Sequence, residues 1–533
     1  MKRRNFVRLT SAAGFSAFVL PLAQCRESRG NESDGGSDFE LSELTVSQLQ
    51  AKMKSGDVTS RSVTQSYLDQ IARLDKDGPM LNAVIEINPD ALSIADTLDE
   101  ERKKGKLRGP MHGIPVLIKD NINTADQMQT TAAALALEGN IAQSDAFVVK
   151  QLRNAGAVIL GKTNLSEWAN FRSTRSSSGW SSRGGQTLNP YILDRSPCGS
   201  SSGSGVAVAA NLCAVSVGTE TNGSIACPAS MNSIVGIKPT VGLVSRSGII
   251  PISKTQDTAG PFGRTVADAA MLLGAMTGRD PEDAATSDTP AKTPTDYAVY
   301  LDPDGLKGKR IGVEKDFLNE HERVDVLFKH AIDQMKKLGA IVIEVDYMKT
   351  QDLGDAESTL LQYEFKDGVN AYLSKSNAKV KSLDDVIAFN KNHEDRVMPA
   401  FRQELLEIAT AKGNLDSKEY KEALLKILNV RKLLAAEFEK NKLDALCGPA
   451  TGPSWCIDPV NGDFWTGYGS YGPAAVSGFP SITVPMGYVN EIPIGISFLG
   501  RAYDEPGLIS IAYAYEQVSK NRKAPRFLKS VKL

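Results

Sequence analysis

The stretch CGSSSGSGVAVAANLCAVSVGTETNGSIACP, from Cys198 to Pro228, combines small residues and hydroxyls with a single charged side chain, that of Glu220, and contains no histidine. Such a composition fits either a flexible linker or a backbone that brings serine hydroxyls against a reactive group. The two alternatives differ in whether the serines have a chemical role. That role depends on the base that the rest of the chain offers.

A first hypothesis is a serine hydrolase of the α/β-hydrolase type, because GSSSG satisfies the pattern GxSxG with Ser201 at its centre. That mechanism needs a histidine base, which in this class follows the serine and an acidic residue along the chain. The four histidines are His112, His321, His330 and His393, and none lies beyond position 393. We expect structural roles for them and for Met111.

A lysine can replace the histidine if its amine is neutral, and neutrality requires burial, which disfavours the ammonium form. Lys119 is the best candidate because it ends the apolar run IPVLI, which reads as a buried strand. A structural lysine that extends its amine toward solvent remains the alternative from this strand alone.

Helices and short apolar strands alternate along the chain, which predicts an α/β fold. Thr45 and Gln48 form a candidate capping box ahead of two opening helices. The segment from Val324 to Leu338 keeps one apolar face, ends at Gly339 and is followed by the strand-like AIVIEV. GAVILGKTN, near Val158, predicts another strand. The polar, helix-rich region 350–441, with a helix that begins near Asp416, is expected to cover the core as a cap.

The first residues are typical of an export signal. Basic residues precede the apolar run from Leu9 to Ala23, and the pair in RRNF resembles a bacterial twin-arginine signal. Cys25 closes the run where a lipoprotein carries its lipid, although Gln24 is larger than usual there. The sequence therefore predicts an exported, periplasmic protein with its signal at 1–25, a flexible linker at 26–40 and one domain at 41–533. Contact with a membrane is expected only through a lipid on Cys25, and lipidation stays open.

Charge and cysteine content exclude several classes. The 61 basic and 63 acidic residues are nearly balanced, so we expect no nucleic-acid partner. The six cysteines and four histidines show no metal-ligand spacing, and no metal or cofactor is expected. An oxidising compartment would permit a disulfide, for which Cys447 and Cys456 are the nearest pair in sequence.

Several further motifs follow in a fixed order: GPMHGIPVLIKDN, the glycine and serine stretch, GSIACPASMNSIVGIKPTVGLVSRSG, DTAGPFGRTVADAA, GFPSITVPMGY and PIGISFLGRAYDE. In this order the chain resembles the amidase signature family over about residues 41 to 520. The resemblance implies a mixed, twisted β-sheet covered by helices on both faces, an α/β/α sandwich. It also implies a Ser-Ser-Lys triad, with Lys119 as the base, Ser200 as the bridging serine on a cis peptide and Ser224 as the nucleophile that forms an acyl-enzyme.

The same resemblance implies that the backbone of Thr221, Asn222, Gly223 and Ser224 forms the oxyanion hole. Three neighbouring residues depart from the family pattern without removing a triad member. Asn222 stands where many members carry glycine, Glu220 where aspartate is common, and Ala226 where arginine often follows the nucleophile.

The chain is most similar to the peptide amidase group of that family, which removes ammonia from C-terminal peptide amides. Asn222 differs from the acidic residue usual in that group, so the substrate assignment stays open. A loop over 171–186 would lie beside the triad, with Trp180 as an apolar wall and Arg183 as a positive charge for substrate. Alternatively, both side chains merely hold the loop in place.

The leading hypothesis is thus an exported amidase that acts on small or peptide amides. A general amidase for aryl or aliphatic amides is the nearest alternative. A glutamine-hydrolysing component of a tRNA transamidation complex is disfavoured by the export signal. A non-catalytic binding protein is disfavoured because Lys119, Ser200 and Ser224 are all retained.

Overall fold

Eleven strands form one sheet in the computed structural model, which describes residues 39–291, 293–346, 353 and 355–532. The predicted export signal at 1–25, with Cys25, and residues 26–38 of the predicted linker lie outside the described residues. The spatial order of the strands is β1-β3-β2-β6-β8-β7-β12-β13-β11-β9-β10, and β4 pairs with β5 separately. The strands are β1 Val84–Ile87, β2 Pro115–Lys119, β3 Val158–Thr163, β4 Trp180–Ser181, β5 Gly185–Gln186, β6 Val215–Glu220, β7 Val235–Lys238, β8 Thr258–Gly263, β9 Arg310–Glu314, β10 Ile341–Val345, β11 Ala445–Pro449, β12 Ser481–Val489 and β13 Ile492–Leu499.

The sheet is mixed. Strands β3, β2 and β6 run parallel at one end, β11, β9 and β10 run parallel at the other, and the strands between them pair antiparallel. Parallel neighbours need crossover connections, which helices supply. Helices lie on both sides of the sheet, so the predicted α/β/α sandwich with a mixed sheet is confirmed.

The helices bear out the local sequence signals. Thr45 caps α1 with the expected capping box, and α8 ends just before Gly339, which has a positive φ of 90°. The helix expected near Asp416 begins at Lys418, because Ser417 rather than Asp416 takes the N-cap position. The helices are α1 Val46–Ser55, α2 Ser60–Ile71, α3 Ala91–Lys103, α4 Phe147–Asn154, α5 Ser202–Ala209, α6 Ala226–Met231, α7 Val266–Met276, α8 Glu322–Lys337, α9 Ala356–Lys375, α10 Leu383–Asn392, α11 Glu394–Val397, α12 Glu404–Thr410, α13 Lys418–Asn441, α14 Gly472–Ser477 and α15 Glu505–Ser519.

Helices α9 to α13 fill the region that the sequence predicts as a helical cap. The apolar side of α9 inserts Phe365, Val369 and Leu373 into a cluster with Trp168 and Ile250 of the sheet-side loops. Burial of such side chains contributes about 25 cal/mol per Å² of apolar surface, so this cluster holds the helices against the loops beneath them. Phe39 to Leu533 form one compact unit.

None of the helices in the described part of the chain is long and apolar enough to cross a membrane. The export signal and Cys25 are not covered by this finding.

The sheet brings two parts of the stretch from Cys198 to Pro228 to the end of β2. Strands β2 and β6 are parallel neighbours, with Ile118 opposite Val217, so their carboxyl ends lie at the same edge. Lys119 ends one strand and Glu220 ends the other. Helix α5 packs across both strands, which places the loop ahead of it at the same edge.

Candidate active site

Lys119 is wholly buried and lies at the centre of a cluster of oxygen atoms. Its Nζ is 2.8 Å from Ser200 Oγ, 2.9 Å from Ser201 Oγ and 2.9 Å from Thr219 Oγ1. The carbonyl of Thr219 lies 3.2 Å away. The side chain does not reach toward solvent, so the burial that a neutral base requires is present.

Burial lowers the pKa of Lys119 to about 7, because an ammonium loses its hydration in the interior. The carboxylates of Asp257 and Glu220 act in the opposite direction and raise this pKa. With the two effects combined, a large fraction of the amine is neutral near pH 7. Lys119 can therefore accept a proton, unlike a solvated lysine.

The hydrogen bonds distinguish the two serines that contact this amine. Ser201 Oγ donates its own hydrogen to the carbonyl of Thr219 at 2.9 Å, so it acts toward Lys119 as an acceptor. A neutral amine has two N–H bonds and one lone pair. With the N–H bonds directed at Ser201 and at Thr219 Oγ1, the lone pair faces Ser200. Ser200 is thus the hydroxyl that can donate a proton to Lys119.

Ser200 follows a cis peptide bond with Gly199, as the family resemblance implies. Gly199 leaves no space for a side chain, since a Cβ would lie 2.2 Å from Ser166 Oγ and 3.2 Å from Ser178 Oγ. The glycine therefore lets the loop before α5 pack tightly beneath Lys119. This close packing favours a rigid segment over a flexible linker, which would not be wholly buried.

Ser224 lies in the turn between β6 and α6 and is 8% exposed. Its carbonyl accepts a hydrogen bond from the N–H of Ser201 at 3.3 Å, which joins the two serine segments through their backbones. Within the described residues, no hydrogen bond links Ser200 Oγ directly to Ser224 Oγ. The structure therefore forms the first link of the implied relay, between Lys119 and Ser200, and sets Ser224 beside it.

The predicted oxyanion segment, Thr221 to Ser224, presents unused donors. In the described part of the chain, the backbone N–H groups of Asn222, Gly223 and Ser224 donate to no protein acceptor. Gly223 has a φ of 80°, and a Cβ there would lie 2.5 Å from the ring of Tyr471. Gly223 and Ser224 are buried, and buried backbone donors are rarely left unpaired, so these groups are available to an oxygen of a ligand.

Two carboxylates hold this turn in place. Glu220 accepts hydrogen bonds from the N–H groups of Ile225 and Ala226 at 2.6 and 2.9 Å, which fixes the start of α6. Asp257 accepts the hydroxyl of Thr221 at 2.6 Å. Burial raises the pKa of Asp257 to about 6. The sequence singled out Glu220 as a departure from the family, and here it acts as the backbone anchor of the turn.

On the other side of the turn, Asn222 contacts the helical cap. Its Nδ2 donates to Glu357 Oε1 of α9 at 2.8 Å, and Gln256 Nε2 donates to the same oxygen at 2.9 Å. A carboxylate from the cap therefore lies next to the oxyanion segment. The sequence offered no signal for this contact, because Glu357 is 135 residues away.

The two residues expected to bind substrate both have protein partners. The guanidinium of Arg183 forms ion pairs with Asp120 and Glu86. Trp180 packs edge-on against Phe401, with ring centres 4.9 Å apart. These contacts favour the alternative in which both side chains hold their loop, because the charge of Arg183 is already balanced.

The disulfide does not involve the two cysteines that are nearest in sequence. Cys198 and Cys227 form the bond, with their Cα atoms 5.9 Å apart, whereas Cys447 and Cys456 are free thiols. Cys447 is buried in β11 and Cys456 is exposed, so proximity in sequence was misleading. The two bonded cysteines lie on either side of Ser200 and Ser224 in the sequence, near the two ends of the serine-rich stretch.

A buried lysine in contact with serine hydroxyls is the arrangement that an enzyme with a lysine-activated serine requires. The family model described as Amidase matches residues 62–509. A crystal structure of the native peptide amidase from Stenotrophomonas maltophilia is 51% identical, with a TM-score of 0.87 over 92% of this chain and 99% of that chain. A peptide amidase bound to the competitive inhibitor chymostatin is also 51% identical, with a TM-score of 0.88 over 92% of this chain and 100% of that one.

Curated relatives give the same family. A relative from Arabidopsis thaliana named as a probable amidase is 43% identical over 92% of this chain and 93% of its own length. A glutamyl-tRNA(Gln) amidotransferase component from Thermoanaerobacter pseudethanolicus is 35% identical over 92% of this chain and 99% of its own length. The chain belongs to the amidase family and is an amide-hydrolysing enzyme.

Proposed function

We propose that this enzyme is exported and hydrolyses the C-terminal carboxamides of peptides, with Lys119, Ser200 and Ser224 as its triad. One observation carries the catalytic part: the amine of Lys119 lies 2.8 Å from Ser200 Oγ in a fully buried site, beside a turn with unused N–H donors. The neighbouring peptide amidase structures support the choice of substrate.

The reaction begins when the carboxamide of the substrate binds beside Ser224. Ser200 transfers its proton to the neutral Lys119 and takes the proton of Ser224, whose oxygen attacks the carboxamide carbon. The negative oxygen that forms is stabilised by the N–H groups of Asn222, Gly223 and Ser224. One such donor typically contributes about 3 kcal/mol of barrier lowering.

Collapse of this intermediate breaks the C–N bond. The proton held by Lys119 returns through Ser200 to the departing nitrogen, which leaves as ammonia, and Ser224 keeps the acyl group as an ester. Water then donates a proton through Ser200 to Lys119 and attacks the ester carbon. When the ester C–O bond breaks, that proton returns through Ser200 to the Ser224 oxygen, so the peptide acid is released and Lys119 is neutral again.

Two arginines near the site are paired with carboxylates. A cavity of about 200 Å³ opens beside Thr219 and Thr221, and Arg246 at its edge is paired with Asp283. The guanidinium of Arg183 is likewise paired with two carboxylates. Glutamine carries an α-carboxylate that needs a cation; both arginines are engaged, and Lys254, which also lines the cavity, is the exposed cation there. The choice between glutamine and a peptide amide is therefore made by the kinetic comparison below.

The Cys198–Cys227 disulfide supports export. Disulfides form and persist in oxidising compartments and are rare in the cytosol, where thiols are kept reduced. This agrees with the predicted signal at 1–25. It also disfavours a role in transamidation, which would require charged tRNA in the cytoplasm, although a relative named for that activity is 35% identical.

The test is ammonia release by the purified chain without its first 25 residues, measured on an N-acetyl dipeptide amide, on a short aliphatic amide, on an aryl amide and on glutamine. We expect the peptide amide to have the highest kcat/KM and Ser224→Ala to abolish its cleavage. Preferred cleavage of glutamine would support the transamidation role instead. Cleavage that survives Ser224→Ala would refute the assigned nucleophile.

A further inference from the structure

Two consecutive aromatic side chains are exposed near the active site. Phe464 is 74% exposed and Trp465 is 46% exposed. They lie on a loop that we call the aromatic loop, residues 458–467, within the connection from β11 to α14. Large aromatic side chains that face solvent together at a site are a common sign of ligand contact.

One set of hydrogen bonds holds the aromatic loop close to the segment that contains Ser200. The carboxylate of Asp463, the residue before Phe464, accepts hydrogen bonds from the N–H and the hydroxyl of Ser178. Ser178 Oγ in turn lies 3.2 Å from the position that a Cβ on Gly199 would occupy. The loop is therefore one side chain away from the peptide bond that precedes Ser200.

A second set of contacts connects the aromatic loop to the oxyanion segment. Trp465 packs edge-on against Tyr471, with ring centres 6.5 Å apart. The ring of Tyr471 fills the space above Gly223. Trp465 also contacts Trp455, whose ring nitrogen donates to Asp463 at 2.9 Å. A row of rings thus connects the oxyanion segment to the surface.

We propose that Phe464 and Trp465 form the subsite for the side chain of the substrate's C-terminal residue, and that this subsite selects large apolar and aromatic residues. The inference rests on the proposed function. Because the ring of Tyr471 lies over Gly223, a carboxamide whose oxygen binds the N–H groups of this turn has that ring as a neighbour. A substrate side chain that follows the row of rings outward meets Trp465, and Phe464 precedes Trp465 in the chain.

The energetics favour an aromatic occupant. Aromatic rings that pack against one another gain stability beyond the burial of their surface. The exposed faces of Phe464 and Trp465 are not otherwise covered by the described residues. A small side chain such as that of glycine or alanine would leave both rings in water. Selection therefore rises with the apolar area of the substrate residue.

The experiment compares N-acetyl peptide amides that differ only in the last residue, phenylalanine or alanine. We expect the wild type to prefer the phenylalanine amide and the ratio of the two kcat/KM values to fall about tenfold in Trp465→Ala and in Phe464→Ala, mainly through KM. Trp465→Phe should restore most of the ratio, because it keeps an aromatic face. Val299→Ala, at another exposed apolar residue, serves as the control and should not change the ratio.

A second readout needs no turnover. Binding of N-acetyl-phenylalaninamide to the Ser224→Ala protein should change its tryptophan fluorescence, and Trp465→Phe in that background should remove most of the change. Peptide amides cleaved with an unchanged ratio in both alanine variants would overturn the subsite alone. A wild-type enzyme that cleaves other amides but no peptide amide would overturn the proposed function, and the subsite with it.

Discussion

The amine nitrogen of Lys119 lies 2.8 Å from the hydroxyl oxygen of Ser200, and both side chains are fully buried. The contact joins the end of one strand to the loop before α5, 81 residues further along the chain. It gives the amine a proton donor of its own within the site, and the proposed chemistry depends on it.

Catalysis should require neutral Lys119. Because burial lowers its pKa to about 7, kcat/KM should be low in acid, rise through pH 7 and level off above pH 8. The sign follows from the base, which acts only when deprotonated. A pH profile of kcat/KM for a peptide amide checks this. A rising limb near pH 10, the range of a solvated lysine, would contradict it.

Glu220→Gln should shift the rising part of the pH profile of kcat/KM to lower pH. The charge of Glu220 raises the pKa of Lys119, so its removal lowers that pKa. Glutamine keeps an oxygen for the N–H groups of Ile225 and Ala226, so the turn is preserved. The same pH profile measures the shift. A shift of this rise to higher pH would show that the charge of Glu220 acts through another group.

Ser200 and Ser201 both contact Lys119, but only Ser200 has its hydrogen available to the amine. Ser200→Ala should therefore lower kcat by about 100-fold to 10,000-fold, the range for loss of a proton-transfer group. Ser201→Ala removes an acceptor that orients Lys119 and the hydrogen bonds of that hydroxyl to the Thr219 backbone, and should cost roughly tenfold. Steady-state kinetics of the two purified variants give the comparison. Equal losses would mean that the two hydroxyls share the role.

The disulfide should stabilise the site as well as the fold. It closes a loop of 29 residues between Cys198 and Cys227, for which chain entropy gives about 3 to 4 kcal/mol. Cys198→Ser with Cys227→Ser should lower the midpoint of urea unfolding and reduce kcat. Cys456→Ser, at an exposed free thiol, is the control. Dithiothreitol, a dithiol reductant, should inactivate the wild type and leave the double variant unaffected.

Much of the fold could be predicted from the sequence, because its signals are local. The apolar run before Lys119, the cap at Thr45 and the stop at Gly339 each lie within one element, and each element is present. The mixed sheet was predicted from the resemblance of the ordered motifs to those of the family. Helix α13 was misplaced by two residues because two polar residues competed for its N-cap.

The partners of the site residues could not be predicted, because they are distant in sequence. Arg183 is paired with Glu86 and Asp120, which are 97 and 63 residues away. The sequence around Arg183 therefore gave no sign that its charge is balanced. The bond between Cys198 and Cys227 joins the loop before α5 to the first turn of α6, on either side of β6 in the chain. Spacing along the chain carries no information on such contacts.

The most direct measurement of the central claim is the site at which a fluorophosphonate, a serine-reactive probe, labels the folded protein, read by peptide mass spectrometry. We predict label on Ser224, blocked by a peptide amide substrate and lost in Lys119→Arg, whose guanidinium cannot act as a neutral base. Label on Ser201, or undiminished labelling of Ser224 in Lys119→Arg, would contradict the proposal that Lys119 arms Ser224 through Ser200.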